Sequence, residues 1–280
     1  MRQIWNKGID VVDALIMIIL QQQLQDLSKY DRRFLEKIVN SRSEATRCKT
    51  NEGYLTLIAE SPAEQDIFLA SLNISYTEFF RNSLAFANLR QWIIPGLIRA
   101  KSRHDEIRVW SAGCSTGQEA YSIAMLLDQC LKLNHSDLIV RIFASDLVSE
   151  HVSLAERGIY KLSDLGNVPM NYYQKYFVEK ESKYEISPVL RQGICFTVYD
   201  LLDTTSYIPA ESIYGDFDLI FCCNLLFYYQ KDQQQQIIDK LFHALSGKGY
   251  LVTGETERYL MSAYTGLRSV AAPATIYQVK

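Results

Sequence analysis

The chain has 280 residues, 48% of them hydrophobic, and a formal net charge of −3. A chain of that size buries a substantial core, and its weak acidity excludes the basic surplus of a general nucleic-acid binder. The run Val11 to Leu20 contains Asp13 and covers about half of the ~20 residues a membrane helix needs, and no cationic leader precedes it, so neither insertion nor secretion is expected. Cysteines 48, 114, 130, 195, 222 and 223 lack metal-ligand spacing. They read as reduced thiols of a cytoplasmic protein without a metal.

Residues 9 to 29 carry apolar groups on a helical period and end in a polar glutamine run. A second helix is expected from Asp31 to about Ser43, presenting Arg32, Arg33, Lys37 and Arg42. That face is either simply solvated or a docking surface for an acidic partner helix. Helices over Asn51–Ala59 and from Ser61-Pro62, with a serine cap and a proline in the first turn, complete a helical lobe of residues 1–71. A larger domain is expected to fill 72–280. It opens on Ser75 and Thr77 ahead of Phe79-Phe80-Arg81, a pattern that fits a helix cap or an arginine held rigid to meet a carboxylate. Pro95 and Gly96 are expected to interrupt the following helix.

Residues 107 to 127 read as strand, glycine turn and helix, with Gly113 and Gly117 in the turn. Such a turn at the carboxyl end of a first strand lets a ligand approach the backbone. After the helix of 118–132, the strand Leu138–Asp146 ends on an acid, where nucleoside-binding sheets hold ribose hydroxyls. Ser149 to Gly158 reads as a helix. Tyrosines and β-branched residues then predict a small antiparallel insertion at about 170–198, closing at Asp200 and Leu201. Leu219–Cys223 reads as a central strand with Asn224 at its end. A helix over Lys231–Ser246, a Gly247-Lys248-Gly249 turn, and strands over Tyr250–Glu255 and Ala274–Val279 follow. The fold class is α/β: a Rossmann-like, doubly wound sheet with helices on both faces, an N-terminal helical lobe and a small antiparallel β insertion. Gly113-Cys114-Ser115-Thr116-Gly117 also has the spacing of a hydrolase nucleophile elbow. That chemistry needs an acid and then a histidine on loops after strands, and His135, His151 and His243 fall in helical or pre-strand text.

These stretches in this order resemble the CheR family of chemotaxis protein-glutamate methyltransferases. The likeness rests on Thr77 to Arg81, Trp110 to Ser122, Ala144-Ser145-Asp146, Gly158-Ile159-Tyr160 and Asp216 to Cys222. It implies S-adenosylmethionine as cofactor, S-adenosylhomocysteine as product, and transfer of methyl to glutamate side chains of chemoreceptors. By position it implies cofactor contacts from Ser75, Thr77, Arg81, the loop at Gly113 and Cys114, Glu119 on the methionine ammonium, Asp146 on the ribose, and Asp200 with Leu201 on the adenine. Asn224 would contact cofactor and, with Arg81 and Tyr228, serve the reaction centre. Arg32, Arg33, Lys37 and Arg42 would dock the receptor's methylation helix, and the insertion could take a receptor's C-terminal peptide by strand addition. Glu119 just inside the helix would repel a pyrophosphate and suits an ammonium, which favours S-adenosylmethionine over a dinucleotide. The chain departs from the family pattern at Cys223, where an arginine is common, and at Gly254-Glu255-Thr256-Glu257 in place of glycine-histidine-serine-glutamate; Gln118 and Ala120 are milder changes. The alternative these departures raise is a cofactor-binding sensing or adaptor module without efficient transfer.

Overall fold

The computed structural model describes residues 9–73, 76–103 and 105–280. Four helices open it: α1 (Val11–Gln23), α2 (Arg32–Ala45), α3 (Asn51–Glu60) and α4 (Pro62–Ser71). Each begins at a polar side chain that accepts an otherwise orphaned N–H: Asp10 from Val12, Asp31 from Phe34, Thr50 from Gly53 and Ser61 from Glu64. Helix α1 is shorter than expected, because the backbone turns left-handed at Leu24 (φ 55°). Leu15, Ile19, Leu35, Val39, Tyr54 and Phe68 are fully buried between these helices.

This first unit also contains Phe227–Gln234, a return that nothing in the composition announces. Tyr30 and Tyr229 form an isolated antiparallel bridge with their rings stacked at 5.6 Å. The Asp31 N–H donates to the Tyr228 carbonyl at 2.8 Å, and the Gln230 N–H donates to that of Lys29 at 3.0 Å.

The second unit begins with α5 (Ser83–Asn88) and α6 (Ile94–Ala100), which Pro95 does not separate. A π-helical turn, Leu89–Ile93, joins them, with the Ile94 N–H donating to the Leu89 carbonyl. The widened turn moves the carbonyls that a proline ring would strike in a regular helix. There follow β1 (Glu106–Ala112), α7 (Gln118–Leu133), β2 (Ile139–Asp146), α8 (Ser149–Arg157), β3 (Ile159–Tyr160), α9 (Met170–Tyr176), β4 (Phe177–Lys180), β5 (Lys183–Ile186), α10 (Pro188–Gln192), β6 (Ile194–Val198), β7 (Phe217–Cys222), α11 (Lys231–Ala244), β8 (Leu245–Thr253), α12 (Arg258–Ser262), β9 (Leu267–Ser269) and β10 (Ile276–Val279).

The main sheet has the order β6-β2-β1-β7-β8-β10-β9. Its first five strands are parallel, and β10 and β9 close it antiparallel. Every residue of β7 is buried, as strands covered on both faces by helices require. Trp110 on β1 is fully buried and satisfies its ring N–H on Ser145 Oγ at 3.0 Å. Two sequence expectations are corrected here. The small antiparallel sheet, β3-β5-β4, starts at Ile159, whereas Ile194–Val198 pairs in parallel with β2 and belongs to the main sheet. Gly247-Lys248-Gly249 is an irregularity within β8, which shifts register between Phe217 and Leu219, rather than a turn before it. Strand β9 had no legible signal in its three residues.

Candidate functional site

Four neighbouring parallel strands deliver the candidate residues to one edge of the sheet. Strand β1 ends at the Gly113–Gly117 turn, β2 at Asp146, β6 just before Asp200 and β7 just before Asn224. Parallel pairing puts all four carboxyl ends on the same side, at the place where open α/β sheets bind their ligands.

The turn is held by its own geometry. Gly113 and Gly117 have φ of 83° and 93°, and a β-carbon on Gly117 would lie 2.8 Å from that of Ala155. Glycine is therefore required there on two grounds, backbone conformation and space. The Gly113 and Cys114 N–H groups both donate to the Ser145 carbonyl, at 2.8 and 2.9 Å, which ties the loop to β2. The Ser115 N–H donates to Asp146 Oδ2 at 2.8 Å. The Ser115 hydroxyl is buried and has no hydrogen-bond partner among the described residues, a polar group left for a ligand to satisfy.

Asp146 thus serves two structures at once. Its Oδ2 takes the loop N–H of Ser115, and its Oδ1 takes the N–H of Val148 at 3.0 Å ahead of α8. His151 approaches the same Oδ1 with Nδ1 at 3.3 Å. The sequence reading weighed His151 only as a triad histidine and missed this contact; its position five residues past a strand-end acid, on the first turn of a helix, was the available signal. At β6, the Asp200 Oδ1 accepts the Leu202 N–H at 2.8 Å, and Leu201 is buried.

Glu119, in the first turn of α7, accepts from the Ser111 hydroxyl at 2.7 Å and also from the Cys223 thiol. Burial pushes its carboxyl up to about 7, against the opposing pull of those two donors and of the Arg81 charge. Cys223 occupies the position where the resemblance leads one to expect an arginine, and its thiol also points to the Val252 carbonyl at 3.7 Å. Burial pushes the thiols of Cys114 and Cys223 well above the usual range, which removes thiolate chemistry from this pocket.

Asn224 sits in the left-handed region with φ 59°. The turn it begins is pinned by Glu257, which accepts the N–H groups of Asn224, Leu225, Leu226 and Gly254 at 3.1, 2.8, 2.9 and 2.6 Å. The sequence reading noted Glu257 only as part of a changed motif; its role is to splice the ends of β7 and β8. A β-carbon on Gly254 would lie 2.7 Å from the Asn224 side-chain nitrogen, so only glycine lets the two loops meet.

Arg81 is exposed, donates to the Tyr76 carbonyl at 3.0 Å and lies over the Tyr76 ring. It lines a cavity of about 390 Å³ with Phe80, Phe86, Arg90, Asn167 and Tyr172. Thr77 is half-buried just ahead of the fully buried Phe79, and Ser75 lies outside the described residues.

Tyr228 belongs to the first unit, where its ring packs on Phe34 at 4.9 Å. It lines a cavity of about 520 Å³ in company with Arg33, Phe34, Lys37, Ser71 and Phe227. Of the four basic residues read as a docking face, two are neutralised inside this unit. Arg32 is bonded to Asp10 and Asp13, and Arg42 makes a bidentate pair with Glu64 at 2.9 and 2.7 Å that Tyr54 also joins. Arg33 and Lys37 have no such carboxylate among the described residues.

A parallel sheet that gathers a glycine turn, a strand-end aspartate and a half-buried acid on the first helix defines an α/β nucleoside-cofactor protein of the methyltransferase class. The acceptor set fits S-adenosylmethionine, because the acids of the pocket can accept from hydroxyls, an amine and an ammonium. A family model described as "CheR methyltransferase, SAM binding domain" matches residues 75–274, and the chain belongs to that family. It is 28% identical over 253 residues to the chemotaxis protein methyltransferase of Borreliella burgdorferi, covering 89% of this chain and 88% of that one. It is 32% identical over 212 residues to the chemotaxis protein methyltransferase of Salmonella typhimurium, covering 74% and 69%. With chemotaxis protein methyltransferase 2 of Pseudomonas aeruginosa the identity is 31% over 229 residues, covering 80% and 76%. The family makes this chain an S-adenosylmethionine-dependent methyltransferase of chemotaxis. Among the described residues no helix is long and apolar enough to cross a membrane, and no group of acids, histidines and cysteines is placed to hold a metal ion.

Proposed function

We propose that the chain transfers methyl to glutamate side chains of chemoreceptors, forming glutamyl methyl esters. The observation that carries the reading is the convergence of the glycine turn, Asp146, Asp200 and Asn224 on one sheet edge, with Glu119 and Arg81 beside them. When bound, the cofactor supplies a sulfonium methyl; a carboxylate oxygen bonds to that carbon as the carbon–sulfur bond breaks. A glutamate is already an anionic nucleophile at neutral pH, so the protein's task is alignment and exclusion of water rather than proton transfer.

In this reading Asp146 holds the ribose, Asp200 with Leu201 the adenine, and Glu119 the methionine ammonium. Thr77, Ser75 and the backbone at Gly113 and Cys114 complete the cradle. Arg81 orients the acceptor carboxylate and Asn224 lines its approach, while Tyr228, which the resemblance also assigns to the reaction centre, belongs to the first unit. The cavity that Tyr228 shares with Arg33 and Lys37 supports an acidic methylation helix as the partner. Strand β4 is an edge of the small sheet and offers a receptor's C-terminal peptide a place for strand addition. The Cys223 thiol, standing where a cation is expected, favours one rival: a module that binds the cofactor or its product without efficient transfer.

Incubation with methyl-labelled S-adenosylmethionine and chemoreceptor membranes tests the reading. Base-labile label on receptor glutamates is the expected result. Tight binding of S-adenosylhomocysteine with no label on any cognate receptor would establish the rival instead.

A further inference from the structure

Asp146 is held by more than its backbone neighbours. Its Oδ1 accepts from Val148 N–H at 3.0 Å and faces His151 Nδ1 at 3.3 Å, while its Oδ2 accepts from Ser115 N–H at 2.8 Å. An ionised carboxylate only accepts hydrogen bonds, so a favourable contact requires the imidazole proton on Nδ1. Both side chains are 12% exposed, which leaves little water to compete for the pair. His151 is the third residue of α8, and Val148, whose N–H the aspartate takes, is the residue just before that helix. The helix therefore presents its positive end and one imidazole N–H to the same oxygen. With two protein donors on Oδ1 and one on Oδ2, the open acceptor position of the carboxylate is on Oδ2, the oxygen facing the glycine turn.

We propose that His151 is a positioning residue for cofactor selection: by occupying Oδ1 it fixes the Asp146 carboxylate so that Oδ2 is presented to a ribose hydroxyl. The proposal rests on the reading of Asp146 as the ribose ligand. Without the imidazole, the carboxylate keeps its charge and both backbone donors but gains freedom to rotate about its last bond. The loss is thus felt by ligands that carry the hydroxyls, and not by the rest of the pocket. His151 touches neither the transferred group nor the acceptor, so the rate of transfer at saturating cofactor is expected to stay the same.

The test is calorimetric titration of the intact protein with S-adenosylhomocysteine and with its 2′,3′-dideoxy analogue. His151→Ala is expected to weaken S-adenosylhomocysteine about tenfold, the scale of one hydrogen bond to a charged group, and to change the dideoxy analogue by less than about twofold. His151→Asn, whose side-chain amide can supply a donor near the Nδ1 position, is expected to recover most of the loss. Equal weakening of both ligands would show that His151 only supports the fold of the loop, and unchanged affinity for both would show that the contact does nothing; either overturns the proposal. Asp146→Ala serves as the control for the underlying reading. If that variant binds both ligands as the unaltered protein does, the ribose assignment itself fails; if it discriminates and His151→Ala does not, the failure is confined to His151.

Discussion

Glu119 carries a carboxyl that burial holds near half-protonation at neutral pH, and only its ionised form attracts an ammonium. The sign follows. Below about 7 the free site carries a proton that cofactor binding must expel, so affinity falls as pH falls; above it the carboxylate is already formed and the dependence from this group vanishes. Titrations of S-adenosylhomocysteine between pH 5.5 and 8 are expected to show this slope, at most about tenfold per pH unit. Glu119→Gln should bind more weakly at pH 8 and lose the slope below 7; a slope that survives the substitution would locate the titrating group elsewhere. For Arg81, which is exposed and donates to the Tyr76 carbonyl, Arg81→Ala is expected to lower kcat more than cofactor affinity. Equal losses would mean that it holds cofactor rather than acceptor. At this scale what was legible in the sequence is placement: Gly117 in the turn, Asp146 at the end of β2 and Glu119 in the first turn of α7. It was silent on Glu257, because one buried acid taking four N–H groups from two loops is a long-range arrangement with no local spacing.

Glu257 and the space left by Gly254 join the loops that follow β7 and β8. Glu257→Ala leaves those N–H groups without their acceptor, and a loss of about 3 kcal/mol in unfolding free energy is expected, together with weaker cofactor binding through the Asn224 turn. Denaturant unfolding with and without S-adenosylhomocysteine separates the two effects. In the helical unit the corresponding element is the bond of Arg42 and Tyr54 to Glu64, which joins α2, α3 and α4. The Glu64 carboxyl lies below its ordinary value although burial, its largest influence, pushes it up; the bonds from Arg42 and Tyr54 outweigh it. Its contribution is therefore present at neutral pH and lost as pH falls through the depressed value. Glu64→Gln is expected to destabilise this unit at pH 7 and to narrow its difference from the unaltered protein in acid. Helix and strand assignments were legible because caps and apolar periodicity are local. The π-helical turn before Pro95, the register shift in β8 and the placement of β6 in the main sheet depend on partners far along the chain, and periodicity does not encode them.

For the whole molecule, the division into units cuts across the chain order, since Phe227–Gln234 lies with the N-terminal helices. The paired amides of Asp31 and Gln230 share one bridge. Hydrogen exchange on the intact protein in sub-denaturing urea is expected to open them together, with the protection of α2 rather than that of β7. Protection of Gln230 that follows the sheet would argue against the division. The doubly wound class was readable from alternating strand and helix signals, while this return was not: it is a short stretch with no composition of its own, held by the backbone bonds and aromatic rings it meets.

The same return places a constraint on biogenesis. A nascent chain emerges from its amino terminus, yet the stretch that completes the first unit, Phe227–Gln234, is made about 150 residues after the last of its four helices. At roughly 5–20 residues per second that is a wait of about 10–30 s. During it, the surface of α2 at Phe34, on which the Tyr228 ring later packs, stays uncovered by that ring.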